Sequence, residues 1–351
     1  MKEYIELYVK PFFKEWDKSN LLPIEAFKKA GDFGLLGMII PKKYGGSELT
    51  YTEYSKAIEE LAQVDPSIAL SIASHNSLST NHIYKFGNEE QKQKYLPKLV
   101  SGEYIGCWAL SEEEAGSDAS NIQCEAKKVD DGWIINGRKK YVTHGKASDI
   151  IVVTCKTNNK LSTFIVEKNN NVKIGKTYQK LGMNASETSE LIFDHCFVPD
   201  SNLLGNENTG LKQALTILDG GRISIAALSL GIAKGAFELA LVYSKKRIQF
   251  DKPIIDNQSI GFKLAEFSTK IQAAELLINK ACEEFNTKNS SMCKLFSSEL
   301  CVEVANEVIQ ILGGNGYTNN SVAEKYLRDS KLCTIGEGTS EIQKLVILRH
   351  L

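Results

Sequence analysis

Apolar positions along the 351-residue chain change their period twice. To about residue 104 they recur at helical spacing. Ile58, Leu61 and Ala62 follow a Thr-rich start at Thr50 and Thr52, and Gly31, Gly34, Gly45, Gly46 and Pro66 punctuate the run. The period then shortens to that of strands. Asp130-Asp131-Gly132 reads as a turn, Trp133-Ile134-Ile135 as a short strand, Asn136-Gly137 as a type I′ hairpin signal and Arg138 to Val142 as the returning strand. Ile150–Thr154, Thr163–Val166 and Leu191–Val198 add three β-rich runs with no long helical pattern between them. That predicts an antiparallel sheet or barrel rather than a parallel βαβ sheet. From about Leu211 the helical period returns. Ile223 to Ala233 is apolar and nearly free of charge, which predicts burial on most faces. Further helices are predicted near Gln258–Phe285, Met292–Leu312 and Ser340–Leu351, and the absence of Pro after Pro253 suits long helices in a bundle. The predicted fold is α+β and multidomain: an N-terminal helical domain (1–104), a central antiparallel β domain (105–205) and a C-terminal four-helix bundle (206–351).

Composition narrows the class without naming it. Hydrophobic residues at 42% and charged ones at 24% are near globular averages, so a sizeable core is expected. The 42 Lys+Arg nearly balance the 43 Asp+Glu, leaving no overall basic field for nucleic acid or an anionic membrane. The eight cysteines are scattered, with no pair at two-residue spacing, as expected for reduced, mostly buried thiols. His75 and His82 have no acid or Cys arranged to complete a zinc site, so no metal is expected. The start, Met1-Lys2-Glu3-Tyr4, lacks the apolar run of a signal peptide. Between Asp65 and Lys85 the chain carries no charge, yet its Ser, Thr, Asn and His residues are too polar for hydrocarbon, so membrane insertion is not expected.

No G-x-G-x-x-G follows a strand, and neither a P-loop nor a nucleophile elbow is present. Four local constellations remain. Thr334 to Gln343 leads into the last helix, with Ser340 and Gln343 as a capping box and Glu341 in the first turn. As a capped helix this needs no function. Glu337 between two glycines, however, lets backbone and ligand approach closely, and the N–H groups beside Thr339 suit a pyrophosphate. A carboxylate kept from water there has a raised pKa and can take a carbon-bound proton. Gln310 to Tyr317 is an apolar helix end followed by glycines, readable as a C-cap and turn. Ser111 to Asp118 closes the run Cys107-Trp108-Ala109-Leu110 where helix gives way to sheet. Arg247 to Pro253, with Gln258 downstream, reads as a helix terminus stopped by Pro253, its cations near the negative dipole end.

In this order on an α–β–α layout, the four segments resemble the acyl-CoA dehydrogenase family, from about Pro11 to Leu351. The likeness to the short-chain, butyryl-CoA-type branch lies in Leu218-Asp219-Gly220-Gly221-Arg222-Ile223 and the Glu337 loop. The resemblance implies FAD as cofactor and Glu337 as the base that removes the proton α to the thioester. Hydride then leaves the β carbon for flavin N5, giving the trans-2-enoyl-CoA, and the Glu337 N–H binds the thioester oxygen. In some branches the base stands just before the matching arginine; here that position is Gly221. Trp108, Leu110 and Ser111 match the flavin-contacting run, and Tyr141, Val142 and Thr143 the strand packed on the ring. Arg247, Phe250, Gln258, Gln310, Gly313 and Gly314 match positions that hold FAD across a subunit interface, and Thr339 and Glu341 the helix start near the cofactor. Ser117, Asp219, Arg222 and Gly338 match substrate-binding positions. A dimer of dimers and an electron-transfer flavoprotein as acceptor are also implied. The family usually has Pro-Gly at Glu113-Glu114, Trp at Tyr141, Tyr at Gly336 and Gly at Asp251, departures that bear on pocket shape, flavin potential and acceptor. The family pattern also begins earlier than this chain does.

No Lys or Arg stands between Lys56 and Lys85, a region that walls the acyl pocket in the resembled fold, so a neutral acyl group is expected. A flavin oxidase or monooxygenase on the same scaffold, and a non-catalytic homologue that still binds FAD or acyl-CoA, are the alternatives. The expected compartment is the cytoplasm, or the mitochondrial matrix had a presequence been removed.

Overall fold

The computed structural model describes residues 1–168 and 171–351, and the chain divides into two compact units. The first comprises 1–50, 71–180 and 184–221; the second comprises 51–70, 181–183 and 222–351.

The first unit is built on an eight-stranded sheet: β1 (Gly106–Ala109), β2 (Glu125–Val129), β3 (Gly132–Thr143), β4 (Ile150–Thr157), β5 (Lys160–Glu167), β6 (Val172–Thr177), β7 (Thr188–Pro199) and β8 (Leu203–Leu204). Its order is β6-β7-β3-β2-β4-β5-β8, with β1 beside β4. All pairings are antiparallel except those of β4 with β1 and with β2. The expected sheet is therefore present, with a parallel seam at β4. That strand is buried at nearly every position because both of its faces are covered. Ile151, Val153 and Cys155 join one core with Trp133, Phe164 and Phe193. Ile150 and Val152 face the other, where Tyr95, Leu96 and Leu99 of the Glu89–Ser101 helix pack.

One expectation fails here. Asn136-Gly137 is not a hairpin turn; the turn is Asp130-Asp131, and β3 runs straight through Asn136-Gly137 as a bulge. A second register shift falls between Lys139 and Val142, at the end of β3.

The second unit is helical. Its long elements are Tyr51–Ala62, the part of Gly210–Lys246 from Arg222 onward, Gln258–Glu283, Thr287–Leu312, Ala323–Cys333 and Ser340–Leu348. The Ala323–Cys333 helix was absent from the sequence reading: its apolar face is narrow, and charges dominate the segment. Every residue from Ile223 to Ala233 is buried. Gly210–Lys246 is long and apolar enough to cross a membrane, but 61% of its most apolar stretch is buried inside the protein, as in a core helix. The Gly210–Lys246 helix ends beside Arg247 as expected, with Lys245 and Lys246 in its last turn, but Pro253 does not stop it: a small hairpin follows, Ile248–Gln249 against Lys252–Pro253. Phe250 and Asp251 turn it with φ of 52° and 63°, the paired positive values of a type I′ turn. Asp tolerates that conformation, which accounts for Asp251 standing where the family has Gly.

One buried lysine of this unit is paired twice. Lys325 Nζ donates to Asp65 Oδ1 and Asp329 Oδ2, both at 2.6 Å, and Asp329 Oδ1 accepts the Met183 N–H at 2.5 Å. Close helix approach depends on Gly231: a Cβ there would sit 2.6 Å from the Ala62 Cβ and collide with the Glu59 carbonyl. Gly231→Ala is therefore expected to cost about 1–3 kcal/mol in denaturant melts. Gly116→Ala, whose Cβ would meet nothing within 4 Å, is expected to be near neutral.

Candidate active site

The Ala323–Cys333 helix ends at Thr334, and the chain turns through Ile335 to Gly338 before the last helix begins. Glu337 and Gly338 are both left-handed, with φ of 53° and 94°. Such a conformation in a non-Gly residue is sustained only where the surroundings over-determine it. Here the Gly338 carbonyl accepts from Lys294 Nζ at 2.7 Å and from Gln343 Nε2 at 2.9 Å, and Gln343 Nε2 also reaches the Glu337 carbonyl at 3.2 Å. The φ of 94° favours glycine at 338, and a Cβ there would also press on Gln343 Nε2 at 2.7 Å. The expected capping box is corrected: Thr339, not Ser340, is the N-cap, accepting the Ile342 N–H at 3.3 Å, and Gln343 is used by the loop instead.

The Glu337 residue is half-buried, but its carboxylate is enclosed. Oε2 is out of solvent contact and has no hydrogen-bond partner among the described residues. Burial pushes the carboxyl up to about 8, against the opposing pull of Lys294 and Arg222. Burial also brings Lys294 down to about 8, partly offset by Cys333 and Glu337. Arg222, expected along the substrate arm, is thus a buried cation within electrostatic reach of both. The Glu337 N–H bonds no acceptor among the described residues. Carboxylate and N–H together form a base beside a donor.

Elsewhere in this unit, Arg247, Phe250, Gln258, Gln310, Gly313, Gly314 and Glu341 are exposed and Thr339 is half-buried. Phe250 is 92% exposed and Tyr317 83%. Gly313 ends the Thr287–Leu312 helix with φ of 59°.

In the sheet-bearing unit, Trp108 lies on β1 and donates its Nε1–H to His82 Nδ1 at 2.9 Å. Leu110 and Ser111 follow, braced by carbonyl bonds: Lys139 Nζ donates to Leu110 at 2.9 Å and the Lys140 N–H to Ser111 at 2.8 Å. Lys139, fully buried, also pairs with Glu112 Oε1 at 2.6 Å. Of the two unexpected acids, Glu113 pairs with Lys140. Tyr141 sits in the bulge at the end of β3 with φ of 58°, 61% exposed and with its ring tilted against that of Tyr178, centroids 5.1 Å apart. Bulges commonly re-aim a side chain in this way. Val142 beside it is buried and Thr143 half-buried. Ser117 is exposed and Asp219 half-buried. A pocket of about 380 Å³ is lined by Ser120–Gln123, Lys156, Lys160 and Asn208 among others; it carries two cations and no acid.

The fit to a flavin rests on this donor set. Tyr141 and Trp108 offer aromatic surface, and the Ser111 and Thr143 hydroxyls, half-buried, make no hydrogen bond among the described residues. An apolar ring with polar edges suits such a surface. Lys294 belongs to none of the motifs visible in the sequence, and Gln343 figures there only in the expected capping box. The signal for Lys294 was a lone cation on the helical stripe Ser290, Ser291, Ser297, Ser298 and Cys301, all buried.

Three family models match the chain: the N-terminal domain of acyl-CoA dehydrogenase over residues 1–103, the middle domain over 107–196 and the C-terminal domain over 208–351. An acyl-CoA dehydrogenase of Bacillus subtilis is 40% identical, over 100% of this chain and 96% of its own length. A short-chain-specific acyl-CoA dehydrogenase of Clostridium acetobutylicum is 38% identical, over 99% and 94%. The structure of butyryl-CoA dehydrogenase from Megasphaera elsdenii superposes with a TM-score of 0.97 at 37% identity, covering 99% of this chain and 95% of that one.

The raised carboxyl makes stability depend on pH in a definite sense. Its value when folded, about 8, lies above the ordinary 4.5, so the folded chain binds the extra proton between those limits and loses stability as pH rises through them. Glu337→Gln keeps the neutral shape and lacks this loss. Its melting temperature is expected to match wild type at about pH 5 and exceed it at about pH 8; equal melting at both would contradict the enclosed carboxyl.

Proposed function

The chain belongs to the acyl-CoA dehydrogenase family, and from that premise we propose that it dehydrogenates a short, uncharged acyl-CoA to the trans-2-enoyl-CoA, with Glu337 as the base. The observation that carries this reading is the enclosed Glu337 carboxylate, raised by burial and adjoining an uncommitted N–H. A carboxylate of that basicity is matched to a weakly acidic carbon-bound proton. The Glu337 N–H donates to the thioester oxygen and stabilises the charge that develops as the α proton moves to the carboxylate. FAD, when bound, supplies the two-electron acceptor for hydride from the β carbon. We assign the flavin contacts to Trp108, Leu110, Ser111, Tyr141, Val142 and Thr143, and the remaining cofactor contacts to Arg247, Phe250, Gln258, Gln310, Gly313, Gly314, Thr339 and Glu341. Ser117, Asp219, Arg222 and Gly338 serve the substrate, and the pocket bearing Lys156 and Lys160 suits its phosphates.

A short acyl group is supported by the likeness to the short-chain and butyryl-CoA enzymes, and a neutral one by the absence of cations between Lys56 and Lys85. We place the enzyme in the cytoplasm, passing electrons to an electron-transfer flavoprotein, and divide the chain functionally into 1–104, 105–205 and 206–351. The exposed Phe250 and Tyr317 support burial against a second copy, as in a dimer of dimers.

Anaerobic titration of the yellow holoenzyme tests this reading. Butyryl-CoA is expected to bleach the flavin and glutaryl-CoA to do so far more slowly. Glu337→Gln should retain FAD and bind butyryl-CoA yet bleach at least a thousandfold more slowly, a barrier higher by about 4 kcal/mol; bleaching at the wild-type rate would eliminate Glu337 as the base. Reoxidation faster by air than by a flavoprotein acceptor would favour an oxidase. Separately, Phe250→Ser is expected to lower both the oligomeric state in sedimentation and the FAD retained per chain.

A further inference from the structure

Lys294 is a fully buried lysine with no carboxylate bonded to it; its hydrogen bond from Nζ runs to the Gly338 carbonyl at 2.7 Å. A lysine used only for packing would be replaceable by an apolar side chain without the cost of desolvating a cation. This one is aimed at the residue directly after Glu337, on the carbonyl that Gln343 also holds. We propose that Lys294 is a positioning residue for Glu337: its ammonium pins the left-handed Glu337-Gly338 pair and supplies the positive charge that lets the enclosed carboxylate ionise. The inference rests on Glu337 being the base.

Two links make the argument. The first is geometric. Consecutive left-handed residues at Glu337 and Gly338 leave the Gly338 carbonyl turned toward the Thr287–Leu312 helix, where Lys294 meets it. Without that donor only Gln343 would oppose relaxation of Glu337 to negative φ, which any non-Gly residue prefers. The second is electrostatic. Burial alone disfavours a charged Glu337, and the cations opposing it are Lys294 and Arg222, the latter from the Gly210–Lys246 helix. The other titratable groups facing this cluster are Cys301 on the lysine's own helix and Cys333 on the Ala323–Cys333 helix, with Asp329 near Cys333. Asp329 is already bonded to Lys325, so it does not neutralise Lys294. Glu337 is therefore the carboxylate on which the charge of Lys294 acts, beside the Cys333 and Cys301 thiols.

The test is the pH dependence of anaerobic flavin bleaching by butyryl-CoA in the holoenzyme, for wild type, Lys294→Arg, Lys294→Gln and Lys294→Met. Bleaching should rise with pH as the base ionises. Losing the cation is expected to raise the midpoint by about one pH unit or more in the Gln and Met variants. Arg should leave it near the wild-type position. Gln, which still offers a donor to the Gly338 carbonyl, should recover much of the wild-type rate at high pH, whereas Met should not. If Met fails to retain FAD, Gln and Arg decide the matter by themselves. A Gln profile lowered by the same factor at every pH, with an unmoved midpoint, would overturn the proposal and leave Lys294 a structural residue. The parent reading is judged apart from this, by Glu337→Gln alone: an inactive Glu337→Gln beside an unmoved Lys294→Gln midpoint removes only the role of Lys294.

Discussion

The helical unit hangs on one buried cation. Lys325 holds Asp65 and Asp329 at once, and each carboxylate also anchors backbone. Asp65 accepts the N–H groups of Ser67 and Ile68 at the start of the Pro66–Ser74 helix, and Asp329 that of Met183. Two segments far apart in the chain, around Asp65 and at Met183, are thereby tied to the Ala323–Cys333 helix. Removing one member would leave a charge in the core without its partner, a loss of several kcal/mol in comparable cases. The last turn of that helix launches the Glu337 loop, so the position of the carboxylate is inherited from the triad.

The two acidic groups on this stretch are treated in opposite ways. Asp329 is satisfied on both oxygens and bonded to an ammonium, and it is chemically idle despite a raised pKa set by burial. Glu337 is denied water and left with an unpaired oxygen, while its cations act from a distance. Desolvation without a bonded partner keeps a carboxylate basic; desolvation with one makes a strut. The contrast sets a structural carboxylate and the proposed base eight residues apart in the chain.

The uncharged stretch after Asp65 shows how polar side chains enter a core without charge. Ser77 and Ser79 donate back to the carbonyls of Ala73 and His75 in their own helix, and Asn76 bridges to the Met38 N–H and the Leu35 carbonyl. His82, between Trp108 and Gln213, must carry its proton on Nε2, because Nδ1 accepts from the indole, and burial lowers it to about 4.

Much was legible without coordinates because it is written in local chemistry. The double change of period separates helical from β segments, the continuous apolar runs at β4 and β5 announce strands covered on both faces, and a carboxylate between glycines marks Glu337. These depend on spacing within a few residues, which sequence displays directly. Tertiary structure alone decided the rest. Asn136-Gly137 has the chemistry of a hairpin turn, but pairing of β3 with β7 on one side and β2 on the other makes it a bulge. Lys294 reaches its carbonyl across 44 positions and Lys325 its aspartate across 260. No local pattern distinguishes a lysine bound for the interior from one bound for solvent. The difference lies in which partner the fold brings to its end, and desolvation makes that partner obligatory only once the chain has closed around it.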